Sequence, residues 1–212
     1  MGTRKSRWKD ITLPLRNGMA GWPGDAPFEI TRDLKMEDGA VCNLSRLSLS
    51  AHAGTHMDAP RHFIAQGAAM EEAPLDMLMG SCRVVLLDCA DQITARDLEP
   101  LSLRRGERGL FKTRNSRRDW SGEPFDKDFV SIRQDAAEHL AACGVALVGV
   151  DYLSIGGYEK DGAATHQIIL GAGIWVVEGL RLLDIHPGKY EMICLPLKIV
   201  GADGAPCRVL IR

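Results

Sequence analysis

Ser131-Ile132-Arg133-Gln134-Asp135-Ala136-Ala137-Glu138-His139-Leu140-Ala141-Ala142-Cys143-Gly144-Val145-Ala146-Leu147-Val148-Gly149-Val150 is the stretch that carries the fold class. Ile132, Ala136 and Leu140 recur at helical spacing, so Ser131–Cys143 reads as a helix. Gly144 follows as its stop, because glycine accepts the left-handed backbone that ends many helices. Val145–Val150 is short, apolar and rich in valine, the pattern of a buried strand. A helix leading straight into a buried strand is a building unit of an α/β domain.

The same grammar extends both ways. Downstream, Ile174–Val177 reads as a strand ended by Glu178, with His166 opening a short helix before it. Ile193–Leu197 and Arg208–Ile211 read as closing strands. Upstream, Gly109–Thr113 and Cys82–Asp88 are strand-like, and Thr94-Ala95-Arg96-Asp97 resembles a capping box opening a short helix toward Leu101. Phe28–Leu34 and Val41–Ser50 have strand character, with Leu47 and Leu49 alternating with Ser48 and Ser50. So strand-rich a first part implies a mixed sheet flanked by helices, in one domain over residues 11–212 behind a flexible N-terminus at 1–10.

Bulk composition excludes several classes. The 212 residues hold 26 Lys+Arg against 28 Asp+Glu, a formal net charge of −2. That balance argues against a nucleic-acid binder with a basic face. The longest stretch without Asp, Glu, Lys or Arg, Gly162–Val177, has 16 residues and falls short of the roughly 20 a membrane span needs. No apolar run follows the basic start, so no secretory signal is read there. Met1-Gly2-Thr3-Arg4-Lys5-Ser6 fits a loose acylation pattern, outweighed by the simpler reading of a basic tail. Cys42, Cys82, Cys89, Cys143, Cys194 and Cys207 form no C-x-x-C pair and read as reduced thiols of a cytoplasmic protein. The basic run from Arg104 to Arg118 reads as a solvated, mobile excursion rather than a nucleic-acid patch. Trp120 and Phe125 near its end are candidates to cover a pocket or a neighbouring subunit.

The chemistry concentrates in Ser50-Ala51-His52-Ala53-Gly54-Thr55-His56-Met57-Asp58-Ala59-Pro60-Arg61-His62-Phe63. A helical zinc motif fails here, since Ala53 stands where the base Glu belongs, and Gly54 and Pro60 discourage a helix. In an extended chain, His52, His56 and Asp58 share a face. Two imidazoles and a carboxylate aimed at one point suit Zn²⁺, Mn²⁺ or Fe²⁺. Glu178, at the end of an apolar strand, needs a cation to stay ionised, unless an Arg pairs with it. His139 and His186 read as surface residues.

The His-x-Gly-Thr-His-x-Asp-x-Pro-x-His segment, with Trp22-Pro23-Gly24-Asp25 and Val177-Glu178-Gly179, resembles the cyclase-type metal-dependent hydrolases. Bacterial kynurenine formamidases and isatin hydrolases are among them, and the resemblance spans about Ile11 to Arg212. It implies an α/β fold of the swivelling β/β/α type and a homodimer or homotetramer. It implies two divalent metals per chain, Zn²⁺ first and Mn²⁺ as the alternative. His52, His56 and Asp58 would hold one and His166 the other, bridged by Asp58 and Glu178. It makes His62 the catalytic acid/base and Trp22 the stacking partner of a small aromatic substrate. After Asp151, Tyr152-Leu153-Ser154 stands in place of the Thr-Pro-Ser that the formamidases carry, which bears on substrate rather than chemistry.

The expected activity is that of an arylformamidase, in which a metal-bound hydroxide cleaves N-formylkynurenine to kynurenine and formate. No serine elbow is needed, and none is present. A hydrolase of a cyclic amide or lactone keeps the same site and is the nearest alternative. A metal-dependent binding protein without turnover is another. A nucleic-acid module through Arg104–Arg118 is the third.

Overall fold

The computed structural model describes residues 7–212. The acylation-like pattern at residues 1–6 lies outside them. In chain order the elements begin with β1 (Lys9–Asp10), the hairpin β2 (Glu29–Leu34) and β3 (Leu44–Ser48), and β4 (His56–Asp58). Helix α1 (Leu75–Leu78), β5 (Met79–Leu86), β6 (Gln92–Ile93) and α2 (Ala95–Leu98) follow. Next come β7 (Arg108–Lys112), β8 (Ser131–Ile132), α3 (Gln134–Cys143) and β9 (Leu147–Val150). Helix α4 (Gly162–Gly171), β10 (Trp175–Glu178), β11 (Gly188–Pro196) and β12 (Gly204–Ile211) complete the chain.

Eight strands form one mixed sheet in the order β1-β12-β11-β5-β7-β9-β10-β4. Strand β4 also pairs with β12, so the sheet closes on itself. Strands β5, β7, β9 and β10 are parallel neighbours. Parallel strands are buried on both faces, which is why they read as continuous apolar runs. Leu110, Leu147 and Val177 point inward with Ile11, Met192 and Val209. Phe111, Val148 and Val176 point outward onto Ala136, Leu140 and Ile169 of α3 and α4. The interior is full: a methyl group on Gly149 would lie 2.6 Å from a Leu110 methyl and 2.7 Å from one of Leu180.

Several local expectations change on contact with the fold. The sheet starts at Lys9, opposite Ile211, before the expected boundary at Ile11. Ser131 and Ile132 are not helical; they pair with Gln92 and Ile93, and the helix starts after an extended Arg133. Gly144 ends α3 at φ 66° as read. The capping box is present, with Thr94 N–H donating to Asp97 Oδ2 at 2.8 Å.

The basic run is a correction of another kind. Arg108–Lys112 is a central strand, not a mobile excursion. Its cations are used on main-chain carbonyls. Arg108 donates to Met77 O at 2.8 Å, and Lys112 Nζ to Leu183 O and Ile185 O, both at 2.8 Å. Trp120 is buried, its indole N–H donating to Asp151 O at 3.0 Å, and it lines a small hollow with Leu13 and Leu180. All six cysteines are free thiols; Cys82, Cys194 and Cys207 are buried, and burial pushes the Cys82 thiol up to about 12. Among the described residues no helix is long and apolar enough to cross a membrane.

Candidate active site

Strands β4 and β10 run side by side with Met57 opposite Val177, Asp58 opposite Val176 and His56 opposite Glu178. Residues directly opposite share a face, and neighbours along a strand alternate. Met57 and Val177 go into the closed core. His56, Asp58 and Glu178 therefore emerge together on the other face, under α4. All three are buried. The sequence put His166 at the start of a helix, but it lies within α4 (Gly162–Gly171) and reaches down onto the carboxylates. Its Nε2 is 3.3 Å from Glu178 Oε1 and 3.8 Å from Asp58 Oδ2.

His52 joins by a different route from the one its spacing implied. It precedes β4, in a turn rather than an extended strand, and Gly54 at φ 65° reverses the backbone between them. The turn carries His52 Nδ1 to 2.9 Å from Asp58 Oδ1. Convergence of His52 with Asp58 is thus the work of a glycine turn. Pro60 starts another turn, Pro60–His62, which folds His62 back so that its ring stacks on His52 at 4.1 Å. Among the described residues Glu178 has no Arg partner; Ile155 N–H donates to its Oε1 at 2.6 Å.

The outer atoms of the rings set their inner ones. His56 Nδ1 lies 3.0 Å from Gly54 O, and His166 Nδ1 lies 2.7 Å from Gly162 O. Only an N–H can meet a carbonyl, so both Nδ1 atoms carry protons and both Nε2 atoms face the carboxylates. Burial alone would push the His56 pKa down, but Asp58 and Glu178 beside it push it up to about 10. His62 differs. Burial lowers its pKa, and the neighbouring His52 and His166 act in the same direction, against Asp58 and Glu178. It is a neutral imidazole at pH 7.

Sequence reasoning missed Asp203. Its Oδ2 is hydrogen-bonded to His52 Nε2 at 2.9 Å and lies 3.3 Å from His62 Nδ1, so one carboxylate faces two rings. A lone acid between glycines in Gly201-Ala202-Asp203-Gly204 was its only signal. Phe63 is also new, stacked on His166 at 4.4 Å. Trp22 packs edge-on against Phe125 at 5.3 Å and Tyr158 at 5.5 Å. With His52, His62, Phe63, Ser154 and His166 it lines a cavity of about 350 Å³. A more open groove of about 860 Å³, lined by Arg83, Arg104, Arg105, Arg108, Lys189 and Arg212, contains none of these histidines. The chemistry lies in the smaller cavity.

Two side-chain atoms test whether a cation fits. His56 Nε2 and Asp58 Oδ2 are fully buried and have no hydrogen-bond partner. His56 Nε2 is 3.1 Å from Glu178 Oε2, but the two are not aligned for a hydrogen bond. Leaving such atoms unsatisfied costs about 1–3 kcal/mol each. A divalent ion among imidazole and carboxylate ligands satisfies both and neutralises the two buried carboxylates. His52, His56 and Asp58 form one group able to hold an ion, and Asp58, His62 and His166 another; His52, His62 and Asp203 form a third.

Comparison with known proteins agrees with this geometry. The sequence profile of a family described as "Putative cyclase" matches residues 9–156. A kynurenine formamidase from Bacillus cereus is 34% identical over 209 residues, covering 99% of each chain. A solved structure titled a potential metal-dependent hydrolase with cyclase activity is 37% identical, with a TM-score of 0.85 over 97% of this chain and 96% of the other. Isatin hydrolase A from Ralstonia solanacearum, at 23% identity and TM-score 0.83 over 97% of this chain and 91% of that one, shares the fold.

Proposed function

The chain belongs to the cyclase family, and from that premise we propose that it is a metal-dependent amidohydrolase acting on a small aromatic amide. The substrate is N-formylkynurenine and the products are kynurenine and formate. The observation that carries this reading is the buried, unsatisfied pair His56 Nε2 and Asp58 Oδ2 amid Glu178, His166 and His52. The full-length likeness to a kynurenine formamidase supports the choice of substrate.

His52, His56 and Asp58 would hold one ion and His166 a second, with Asp58 and Glu178 shared between them; Zn²⁺ suits the ligands best and Mn²⁺ next. Bound there, a divalent ion supplies Lewis acidity, lowering the pKa of water toward 7 and polarising the formyl carbonyl. The protein does the rest. Trp22, braced by Phe125 and Tyr158, presents a flat wall to the aromatic ring of the substrate. Phe63 holds the His166 ring in place from above. The Asp203 carboxylate lies 3.3 Å from His62 Nδ1, which favours an Nδ1 proton and leaves Nε2 free to handle another. Water adds to the formyl carbon as His62 Nε2 takes up its proton, the C–N bond breaks, and His62 passes that same proton to the departing aniline nitrogen. The assembly that works this way is a homo-oligomer.

The test is turnover of N-formylkynurenine, beside isatin as the cyclic amide, by protein loaded with Zn²⁺ or Mn²⁺. His62→Ala is expected to lower kcat by about 10²–10⁴-fold while metal content stays unchanged. Undiminished turnover in that variant contradicts the role of His62. Turnover of isatin alone would move the assignment to cyclic amides.

A further inference from the structure

The first cations of the basic run take no part in the site described above. The fold carries them to the groove of about 860 Å³, where Arg104, Arg105 and Arg108 meet Arg83 of β5, Lys189 of β11 and Arg212 beyond β12. Six cations from four stretches of the chain thus line one groove, and only two acids, Glu107 and Glu191, stand among them. The local formal charge is +4, in a chain whose total is −2. No proposed metal ligand borders the groove.

Strand pairing forces part of this crowding. Cys82 and Val84 point into the closed core, so Arg83 between them points out. Lys189 stands directly opposite Arg83 in the β5–β11 pair and shares its face. Like charges so placed destabilise a sheet. Glu107 offsets Arg83, with Oε1 2.6 Å from its Nε, and Glu191 offsets Arg212 at 2.7 Å. Both acids are thereby used. Arg108 donates to the main-chain carbonyls of Asp76, Met77 and Ser81, which satisfy its N–H groups but cancel no net charge. Arg104, Arg105 and Lys189 are exposed, and among the described residues no acid pairs with their side chains. Two glycines make room for guanidinium groups. A Cβ on Gly80 would lie 3.3 Å from Arg108 Nη1, and one on Gly144 would lie 3.2 Å from Arg105 Cζ. Those two cations therefore rest on bare backbone, in place before any ligand arrives, which lowers the cost of binding.

We infer that this groove binds the di- or triphosphate group of a small molecule. Charge selects a polyanion, since Arg104, Arg105, Arg108 and Lys189 are left without an acid, and two or three phosphates at roughly −1.5 to −2 each meet that demand. Shape selects phosphate, since five of the six cations are Arg, whose planar fork takes oxygens in pairs. Size selects a small molecule, since the volume falls in the range of about 300–1,000 Å³ typical of such sites. A long nucleic acid is disfavoured, because the chain outside the groove is net negative and repels phosphates that run beyond it. The ligand is distinct from the substrate of the metal site, and the inference does not depend on the reaction assigned above.

Calorimetric titration of the full chain with inorganic pyrophosphate, ATP and orthophosphate tests it. Pyrophosphate or ATP is expected to bind about tenfold or more tighter than orthophosphate, with affinity falling as salt is raised. Tighter binding of ATP would identify a nucleotide as the source of the phosphates, and tighter binding of pyrophosphate an inorganic source; either supports the site. Arg104→Gln with Lys189→Gln is expected to weaken binding by about tenfold or more. The melting curve and the turnover of that double variant are expected to match the parent's, since both side chains are exposed and unpaired. A parent protein that binds none of the three anions would overturn the inference. So would binding undiminished in the double variant, which would place the anion at the metal centre, or a DNA duplex held in preference to pyrophosphate.

Discussion

His56 and Asp58 owe their meaning to what surrounds two atoms. A buried imidazole nitrogen and a buried carboxylate oxygen without partners are expensive in any fold that uses them only as packing. The metal-free site compensates in part by holding a second proton on His56, whose pKa stands near 10. Metal binding must expel that proton. The sign follows: below pH 10 the metal competes with the single extra proton on His56, and the rising proton activity at lower pH makes affinity fall as the medium is acidified. Zn²⁺ titrations at pH 6, 7 and 8 should show affinity rising by about tenfold per pH unit for each proton released; a flat profile contradicts the proton on His56. At this scale the sequence was readable where ligands sit close together. His52, His56, Asp58 and His62 fall in one segment, and their residue types declare metal chemistry. Asp203 was not readable, because its partners lie 151 and 141 positions away in the chain and nothing near it repeats their pattern.

At the scale of elements, apolar runs located most strands and glycine located one helix end, because these signals are local. What could not be read was direction. The alternation that puts His56 and Asp58 on one face acts only within β4 (His56–Asp58), and His52 depends on Gly54 at φ 65°. Glu178 comes to His56 by the pairing of β10 with β4, a contact between segments far apart in the chain. Asp151 shows how an acid just before the departing Tyr152–Ser154 stretch supports the site without entering it. Its carboxylate accepts from Thr113 N at 2.7 Å, Thr113 Oγ1 at 2.9 Å, Ser116 N at 3.1 Å and Asn115 Nδ2 at 3.3 Å. Together these bonds tie the end of β7 to the loop that carries Ser154 and Ile155. Asp151→Ala strands those buried donors and is expected to cost about 3 kcal/mol or more, since one orphaned donor alone costs about 1–3 kcal/mol. For a chain of this length that is a fall in Tm of roughly 6–12 °C. A melting curve that matches the parent's would show that the network carries no stability.

For the whole molecule, closure of the sheet is the decisive event. Pairing of β4 with both β10 and β12 brings the His52–Asp58 segment, Glu178 and Asp203 to one place, and α4 adds His166 from outside. Bulk composition carried none of this. A net charge of −2 excludes a uniformly basic surface but cannot report two carboxylates buried side by side, whose balancing ions are not part of the chain. The basic run shows the same blindness, since three of its cations, Arg108, Lys112 and Arg114, are used on main-chain carbonyls and two more, Arg117 and Arg118, on carboxylates. Metal analysis of protein purified without chelator tests the central claim most directly. Close to two equivalents of Zn²⁺ or Mn²⁺ per chain are predicted, falling sharply when Asp58 is replaced by Asn. Protein that is fully folded yet retains no divalent metal, even after incubation with excess Zn²⁺ or Mn²⁺, would contradict the account.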